Sequence, residues 1–238
     1  MIGGALITVV VALGMRHGVD PDHLALSNGR SRFHPTRWNG VLFALGHGII
    51  VTILAVGFGK LLAAYADPYT AWILLLLGVA NLWRLWRPRE HKHPKAPRLF
   101  RASPLLLGVL FGMGFETASQ LSAILLADQL NPWLLGFAFT IGMMLVDGTD
   151  GLLAARTQQL ALTGHVRSRQ SSRTLGVLVV VVSLSLAAGE FGGIDLDRFA
   201  LPMGVVLFAT VVGLRVWGTG SRGAQPLVSA GEVEGRPF

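Results

Sequence analysis

The stretch R-H-G-V-D-P-D-H-L-A-L-S-N, residues 16–28, decides the fold. It follows an apolar run over residues 2–15, about 14 positions, which at about 1.5 Å per residue is too short to cross a hydrocarbon core of about 30 Å. A first membrane span must therefore include the polar cluster. An aspartate at mid-membrane costs roughly 2.5–3.5 kcal/mol on an insertion scale, so a cluster of this kind indicates a functional site.

The composition of the whole chain agrees with this interpretation. Apolar residues make up 52% of the sequence, charged residues 14%, and the mean hydropathy is +0.56. These values predict an all-α polytopic membrane protein, since in lipid only a helix or a closed barrel satisfies its own backbone. Hydropathy and turn signals predict seven spans, at residues 2–26, 38–64, 69–86, 104–127, 132–155, 175–188 and 199–217. We expect residues 1–217 to form one transmembrane domain and residues 218–238, rich in Gly, Ser, Pro and Glu, to form a disordered cytoplasmic tail.

The charged residues predict the orientation. Basic residues follow the first, third, fifth and seventh spans: Arg30, Arg32, Arg37, seven Lys or Arg in residues 84–101, Arg156, Arg167, Arg169, Arg173, Arg215, Arg222 and Arg236. The remaining connections are mainly acidic, with Asp67, Asp128, Glu190, Asp195 and Asp197. The positive-inside rule then places the N-terminus outside and the C-terminus inside a cytoplasmic membrane, which we expect to be prokaryotic. The net charge of +7 is explained by this topology and does not indicate nucleic-acid binding.

Polar residues at membrane depth occur on four of the predicted spans. They are Arg16, His17, Asp20, Asp22, His23 and Asn28 on the first, His47 on the second, Glu116, Thr117 and Gln120 on the fourth, and Asp147 and Asp150 on the fifth. Spans one and four cross the membrane in opposite directions, as do spans two and five. This pattern suggests a 3+3 inverted repeat followed by one C-terminal helix, an arrangement in which transporters place substrate sites near the midplane.

The spacing H-x4-D-H of His17, Asp22 and His23 would not converge on a regular helix. At about 100° per residue, His17 and His23 would lie about 240° apart. Pro21 cannot donate to the carbonyl of His17, and Gly18 weakens the helix further. We therefore predict a break within residues 18–22 that turns both imidazoles and a carboxylate toward one centre and leaves a carbonyl free.

Imidazole nitrogens with a carboxylate suit nickel, cobalt or zinc, and the chain has no cysteine that could supply a thiolate. Water and His47 are candidates to complete the ligand set. Asp20 is a candidate ligand or a partner that orients a histidine, and Arg16 is a candidate charge partner for one of the acids. Three further acids are candidates for pairing with that arginine, for proton transfer or for metal passage: Glu116, Asp147 and Asp150.

Four ordered motifs over about residues 10–155 resemble the nickel/cobalt transporter family. They are R-H-x-x-D-x-D-H, L-G-H, G-F-E-T-A and G-M-x-x-x-D-x-x-D. The resemblance implies a permease in which His17, Asp22 and His23 form the core of metal selection and His47 contributes. It assigns the other signature positions to Glu116, Asp147 and Asp150. The metal is then a transported substrate rather than a cofactor, and the protein is not an enzyme.

The sequence departs from the family pattern at several positions. Glu116 stands for an aspartate, Ser119 for a threonine and Gln120 for a glutamate, and Gly148 stands where a threonine is common. We therefore expect selectivity and coupling to differ from those of typical members. Family members usually have eight helices with H-x4-D-H on the second, so we expect this chain to lack one N-terminal helix.

The function predicted from the sequence is the import of a divalent transition-metal cation, Ni²⁺ or Co²⁺, across the lipid bilayer. One alternative is export of the same metals, in whose favour stands only a short loop with His91 and His93. A second is an intramembrane zinc hydrolase, which requires an open metal position and a nearby acid or base. The sequence contains no H-E-x-x-H motif, and its acids are spread over several spans, as an ion pathway requires.

Overall fold

A computed structural model describes residues 2–58, 67–86, 103–114, 126, 129–194 and 197–220. These residues form eight α-helices: α1 Ile2–Gly18, α2 Pro21–Ser31, α3 Asn39–Ile53, α4 Asp67–Trp86, α5 Pro104–Gly114, α6 Pro132–Leu162, α7 Val166–Phe191 and α8 Asp197–Thr219. A π-helical turn, Leu54–Phe58, extends α3. Several predicted features lie outside the described residues: the end of span two after residue 58, the end of span four after residue 114, the loop with His91 and His93, and the tail from residue 221.

The described helices confirm the predicted class, an all-α polytopic membrane protein. Four of them are long and apolar enough to cross a membrane: Asn39–Gly57, Pro132–Leu162, Val166–Phe191 and Phe199–Thr219. Shorter apolar helices cover Gly3–Gly18, Ala71–Trp86 and Pro104–Met113. Large apolar side chains point outward, among them Trp72, which is 60% exposed, and Phe137, which is 64% exposed. Such a surface suits lipid rather than water.

The first span is broken, as its sequence predicts. Helix α1 ends at Gly18 and α2 begins at Pro21, with Asp20 as the extended residue between them (φ −59°, ψ 142°). Pro21 occupies the first turn of α2, where the missing N–H of proline costs no hydrogen bond. One detail of the prediction was wrong. The carbonyl of His17 is not left free, because it accepts a hydrogen bond of 3.0 Å from the backbone N–H of Asp20.

Spans five and six differ from their predicted bounds. Helix α6 continues to Leu162 rather than to residue 155, and α7 begins at Val166 rather than at residue 175. The added turns are polar and carry Arg156, Arg167 and Arg173 on helices instead of on a loop. Hydropathy detects the apolar stretch of a helix but not the polar turns by which it leaves the membrane. The Val-rich run at residues 176–182 is helical, as expected in lipid.

The main helix pairs follow the pattern expected of an inverted repeat. Helix α1 packs mainly on α6, and α3 packs on both α5 and α6. Helices α4 and α7 form another extensive pair. If span one is exchanged with four, two with five and three with six, this set of contacts is unchanged. The packing is therefore consistent with the predicted 3+3 repeat, which stays a prediction.

Close backbone contacts of spans two and five correspond to each other under the same exchange of spans. A Cβ on Gly46 of α3 would collide with the carbonyl of Leu105 on α5, and a Cβ on Gly142 of α6 would collide with the carbonyl of Val11 on α1. Both glycines end the pattern G-x-x-F-x-x-G, at residues 40–46 and 136–142. Small residues at these positions let the helix backbones approach closely, which is how helices associate in lipid.

Candidate metal centre

The break in the first span brings two histidines of one segment to the same place. His17 lies in the last turn of α1, and His23 lies in the first turn of α2. The break is packed on α8, because a Cβ on Gly204 would collide with the carbonyl oxygen of Val19. A continuous helix would point the two imidazoles in different directions. The break is therefore what makes the sequence motif a spatial cluster.

His47 of α3 completes a cluster of three imidazoles. One nitrogen each of His17, His23 and His47 lies within 4.8 Å of the others, and all three side chains are fully buried. The Nε2 atoms of His17 and His47 are 2.9 Å apart. The ring centroid of His23 lies 4.4 Å from that of His17 and 4.7 Å from that of His47. We call these three residues the histidine centre.

Asp20 holds one histidine of this centre in place. Its Oδ2 lies 3.1 Å from Nδ1 of His17, and the aspartate is 2% exposed. A carboxylate at Nδ1 fixes the ring orientation and leaves Nε2 to face the other histidines. Of the two roles considered for Asp20, ligand or orienting partner, this geometry supports the orienting partner.

Two other aspartates, Asp22 and Asp147, differ in their position relative to the histidine centre. Asp22 is not among the residues whose ligand atoms converge within 4.8 Å, although it precedes His23 directly. Asp147 of α6 is fully buried and places Oδ2 3.6 Å from Nδ1 of His23. Within the described part of the chain, neither oxygen of Asp147 and neither ring nitrogen of His23 has a hydrogen-bond partner. Buried polar groups left in this state are costly, and a bound cation is one way to satisfy them.

The remaining candidates are Asn28, Asp150 and Arg16, which the structure describes, and three residues that it does not describe. Asn28 and Asp150 lie farther along α2 and α6, where Asn28 Nδ2 donates to Asp150 Oδ2 at 3.2 Å. Arg16 is half-buried, and the structure gives it no ion pair with a described acid, so its role as a charge partner stays a prediction. Three candidates lie outside the described residues: Glu116, Thr117 and Gln120.

Two residues that bond to Asp150 were not among the sequence-based candidates. Arg215 of α8 donates to Asp150 Oδ1 at 2.5 Å and to Asn28 Oδ1 at 2.5 Å, and it also contacts the backbone carbonyl of Asp150. Ser27 donates to Asp150 Oδ2 at 3.1 Å. We call Ser27, Asn28, Asp150 and Arg215 the inner cluster. Its four residues hold together α2, α6 and α8.

The prediction placed Arg215 among the cytoplasmic residues that orient the chain, which was wrong. The side chain is 2% exposed and lies within the helix Asp197–Thr219. Its sequence context, V-V-G-L-R-V-W at residues 211–217, is apolar apart from the arginine and therefore indicates a charge inside a membrane span. A charge inside an apolar span normally has a buried partner, so the arginine belonged with the intramembrane acids rather than with the loops.

The histidine centre has the chemistry of a transition-metal site. Three imidazole nitrogens form a borderline donor set that suits Ni²⁺, Co²⁺ or Zn²⁺. The site lies at the C-terminal end of α1, where the helix dipole favours a cation. Phe139 and Phe43 lie against His17 and His23, with ring centroids 5.5 and 5.1 Å apart, and shield the nitrogens from lipid.

Fold and site together define an integral membrane protein of the polytopic α-helical class, with a buried histidine centre at a broken helix. Curated relatives are similar over most of the chain. The nickel transporter NixA of Staphylococcus aureus is 25% identical over 79% of this chain and 72% of its own length. The nickel transporter NicT of Mycobacterium tuberculosis is 25% identical over 76% of this chain and 65% of its own length. A high-affinity nickel transport protein of Cupriavidus necator is 24% identical over 84% of this chain and 73% of its own length.

These relatives confirm the resemblance carried by the four motifs: over about three quarters of its length the chain is similar to curated nickel transporters. No protein-family model matches the sequence. No solved structure matches it.

Proposed function

We propose that this protein transports a divalent transition-metal cation, Ni²⁺ or Co²⁺ or both, across the membrane through the histidine centre. The observation that carries the proposal is the convergence of His17, His23 and His47 within 4.8 Å at a break in a membrane helix. The cation is the substrate of the protein, not a resident cofactor. Nickel is favoured because NixA, NicT and the Cupriavidus protein are named nickel transporters.

The three imidazoles supply the first ligands of the ion. Asp20 keeps Nε2 of His17 directed at the centre by binding its Nδ1. Water and the carboxylate of Asp22 or Asp147 are the remaining candidate ligands, and a modest rotation of Asp147 closes its 3.6 Å gap to His23. An incomplete protein ligand set suits a transporter, because an ion that must leave again cannot be held by a closed structural site.

Import is the proposed direction. With the N-terminus outside, α1 leads from the external face to the histidine centre, and α2 leads from there to the cytoplasm. A doubly charged ion gains about 4.6 kcal/mol on entering an interior that is negative by about 100 mV, at roughly 2.3 kcal/mol per charge. This gain drives uptake without ATP. Residues 1–217 form the permease domain in this proposal, and Glu116, Thr117 and Gln120 stay candidates for the ion pathway.

The experiment that tests the function measures uptake of radioactive nickel and cobalt into proteoliposomes at an imposed inside-negative potential. We expect saturable uptake by the wild-type protein and its loss in the variant His17→Ala. The matched control is His165→Ala. His165 lies just before the first residue of α7, and its ring is hydrogen-bonded to the neighbouring Thr163. Uptake by wild type that persists in His17→Ala would move the site elsewhere. A correctly folded wild type that moves neither metal would contradict the proposal.

A further inference from the structure

The inner cluster has an unusual charge arrangement for the interior of a membrane protein. Arg215 is 2% exposed and Asp150 is fully buried, and the two form an ion pair of 2.5 Å. Removing two charges from water is expensive, and a buried pair often contributes no net stability compared with apolar residues of similar size. Stability alone therefore does not account for the pair, which makes a functional role the stronger explanation.

The cluster lies directly beyond the histidine centre. Asp150 is three residues after Asp147 on α6, and Asn28 is five residues after His23 on α2. At about 1.5 Å per residue these offsets are about 4.5 and 7.5 Å along the helix axes, toward the C-terminal end of each helix. Both helices run to the cytoplasm in the proposed orientation. An ion that leaves the histidine centre for the cytoplasm thus meets the inner cluster next.

A small cavity begins on the far side of the cluster. Its lining includes Asn28, Thr157, Gln158 and Arg215, so the guanidinium forms part of its wall. Thr157 and Gln158 lie two turns beyond Asp150 on α6, toward the proposed cytoplasmic face. Most of its lining residues are polar in type, unlike those of the apolar core around α1. Arg215 therefore stands between the histidine centre and a polar cavity.

We propose that Arg215 acts as a built-in cation that closes the cytoplasmic end of the pathway by occupying the carboxylate of Asp150. This inference rests on the proposed function. An incoming divalent ion repels the guanidinium and offers the carboxylate a counter-ion of higher charge. The ion pair breaks, the ion passes Asp150 into the polar cavity, and Arg215 returns to the carboxylate when the ion has left. Asn28 and Ser27 hold the carboxylate in place through their bonds to Oδ2.

The test measures access from the cytoplasmic side, and the chain is well suited to it because it contains no cysteine. Val146→Cys places a single thiol next to Asp147 and close to the break, because a Cβ added at Gly18 would lie 3.0 Å from the Cβ of Val146. Inside-out vesicles are treated with a membrane-impermeant thiol reagent. We expect slow labelling of Val146→Cys, and labelling at least about tenfold faster when Arg215→Gln is added.

Two controls distinguish closure by Arg215 from the loss of a cytoplasmic charge and from a general change in thiol reactivity. Arg156→Gln removes a cytoplasmic charge from an exposed position on α6 and should leave the labelling of Val146→Cys unchanged. Leu162→Cys lies at the exposed C-terminal end of α6, away from the cluster, so it should react at the same rate with and without Arg215→Gln. Equal labelling of Val146→Cys with and without Arg215→Gln overturns the proposal, as does an equal increase with Arg156→Gln.

A second variant covers the case in which Arg215→Gln does not fold, since that change leaves the charge of Asp150 unpaired. The double variant Arg215→Gln with Asp150→Asn removes both charges and should open the same access. Slow labelling in the double variant overturns the closure. The assay needs no nickel, so faster labelling in a protein that moves no metal would support the closure and contradict the proposed function. Nickel uptake with unchanged labelling would do the reverse.

Discussion

The histidine centre and the inner cluster lie one to two helical turns apart on the same helices, but they differ in the partners of their carboxylates. In the histidine centre three imidazole rings converge, and the carboxylate of Asp147 lies 3.6 Å from His23 with no arginine or lysine paired to it among the described residues. In the inner cluster the carboxylate of Asp150 already has its cation, supplied by Arg215. The first arrangement suits a guest ion. The second excludes one until the arginine moves.

The difference shows that an intramembrane acid is not by itself a ligand. Asp147 and Asp150 are equally buried and lie three residues apart on α6, so their sequence context is nearly the same. Their partners separate them: His23 lies at 3.6 Å from Asp147, whereas Arg215, Asn28 and Ser27 bind Asp150. A role can therefore be assigned to such an acid only after its partners are known.

The largest expected effect comes from removing a nitrogen of the histidine centre. We expect His17→Ala or His23→Ala to weaken nickel binding by at least about 100-fold, because a lost ligand costs at least as much as a lost orienting partner. Isothermal titration of the detergent-solubilised protein measures the affinity. His165→Ala is the control and should bind as the wild type does. Normal affinity in His17→Ala and His23→Ala would remove the contrast between the two regions.

The next variant pair sharpens the composition of the centre. His47 converges with the other two histidines, whereas Asp22 does not. We therefore expect His47→Ala to reduce nickel affinity nearly as much as His17→Ala, and Asp22→Asn to reduce it much less. The same titration measures both variants. A larger loss in Asp22→Asn than in His47→Ala would show that the ion draws the aspartate into the site and releases the histidine of the second span.

A smaller effect is expected for the residue that orients His17. Asp20→Asn keeps the size of the side chain but removes the charge at Nδ1. Orienting partners of metal-bound histidines typically contribute 10–100-fold in affinity, so we expect a loss in this range. Nickel titration measures it, and Asp20→Glu should restore part of the affinity. A loss as large as that of His17→Ala would identify Asp20 as a ligand.

The smallest expected effect concerns the inner cluster. Ser27→Ala removes one hydrogen bond to Asp150, which should lower the free energy of unfolding by about 1 kcal/mol and the Tm by roughly 2–4 °C. Thermal unfolding in detergent measures the change. Ser183→Ala is the matched control, because Ser183 is also fully buried and its hydroxyl has no hydrogen-bond partner among the described residues. An equal shift in both variants would show that Ser27 does not support the cluster.

Part of the site could be predicted from local sequence because its cause is local. Pro21 and Gly18 predict a break within residues 18–22, and α1 ends at Gly18 with α2 beginning at Pro21. The proline has this effect in any surroundings, since it lacks the N–H that a continuous helix needs. The polar ends of α6 and α7 were missed because hydropathy reports only the part of a helix that lies in lipid.

The sequence by itself determined that this is a polytopic α-helical membrane protein and that its first span is broken, and it identified the buried histidines and aspartates of the site but not Arg215. Only the tertiary structure decided the partners of those residues. It brought a nitrogen of His47 within 4.8 Å of those of His17 and His23, and it paired Asp150 with Arg215, which lies 65 residues further along the chain. Span class and helix breaks follow from solvation and backbone chemistry, which act locally. Contacts between helices depend on how the backbones pack, and that is settled by glycines such as Gly46 and Gly142 and the surfaces they meet.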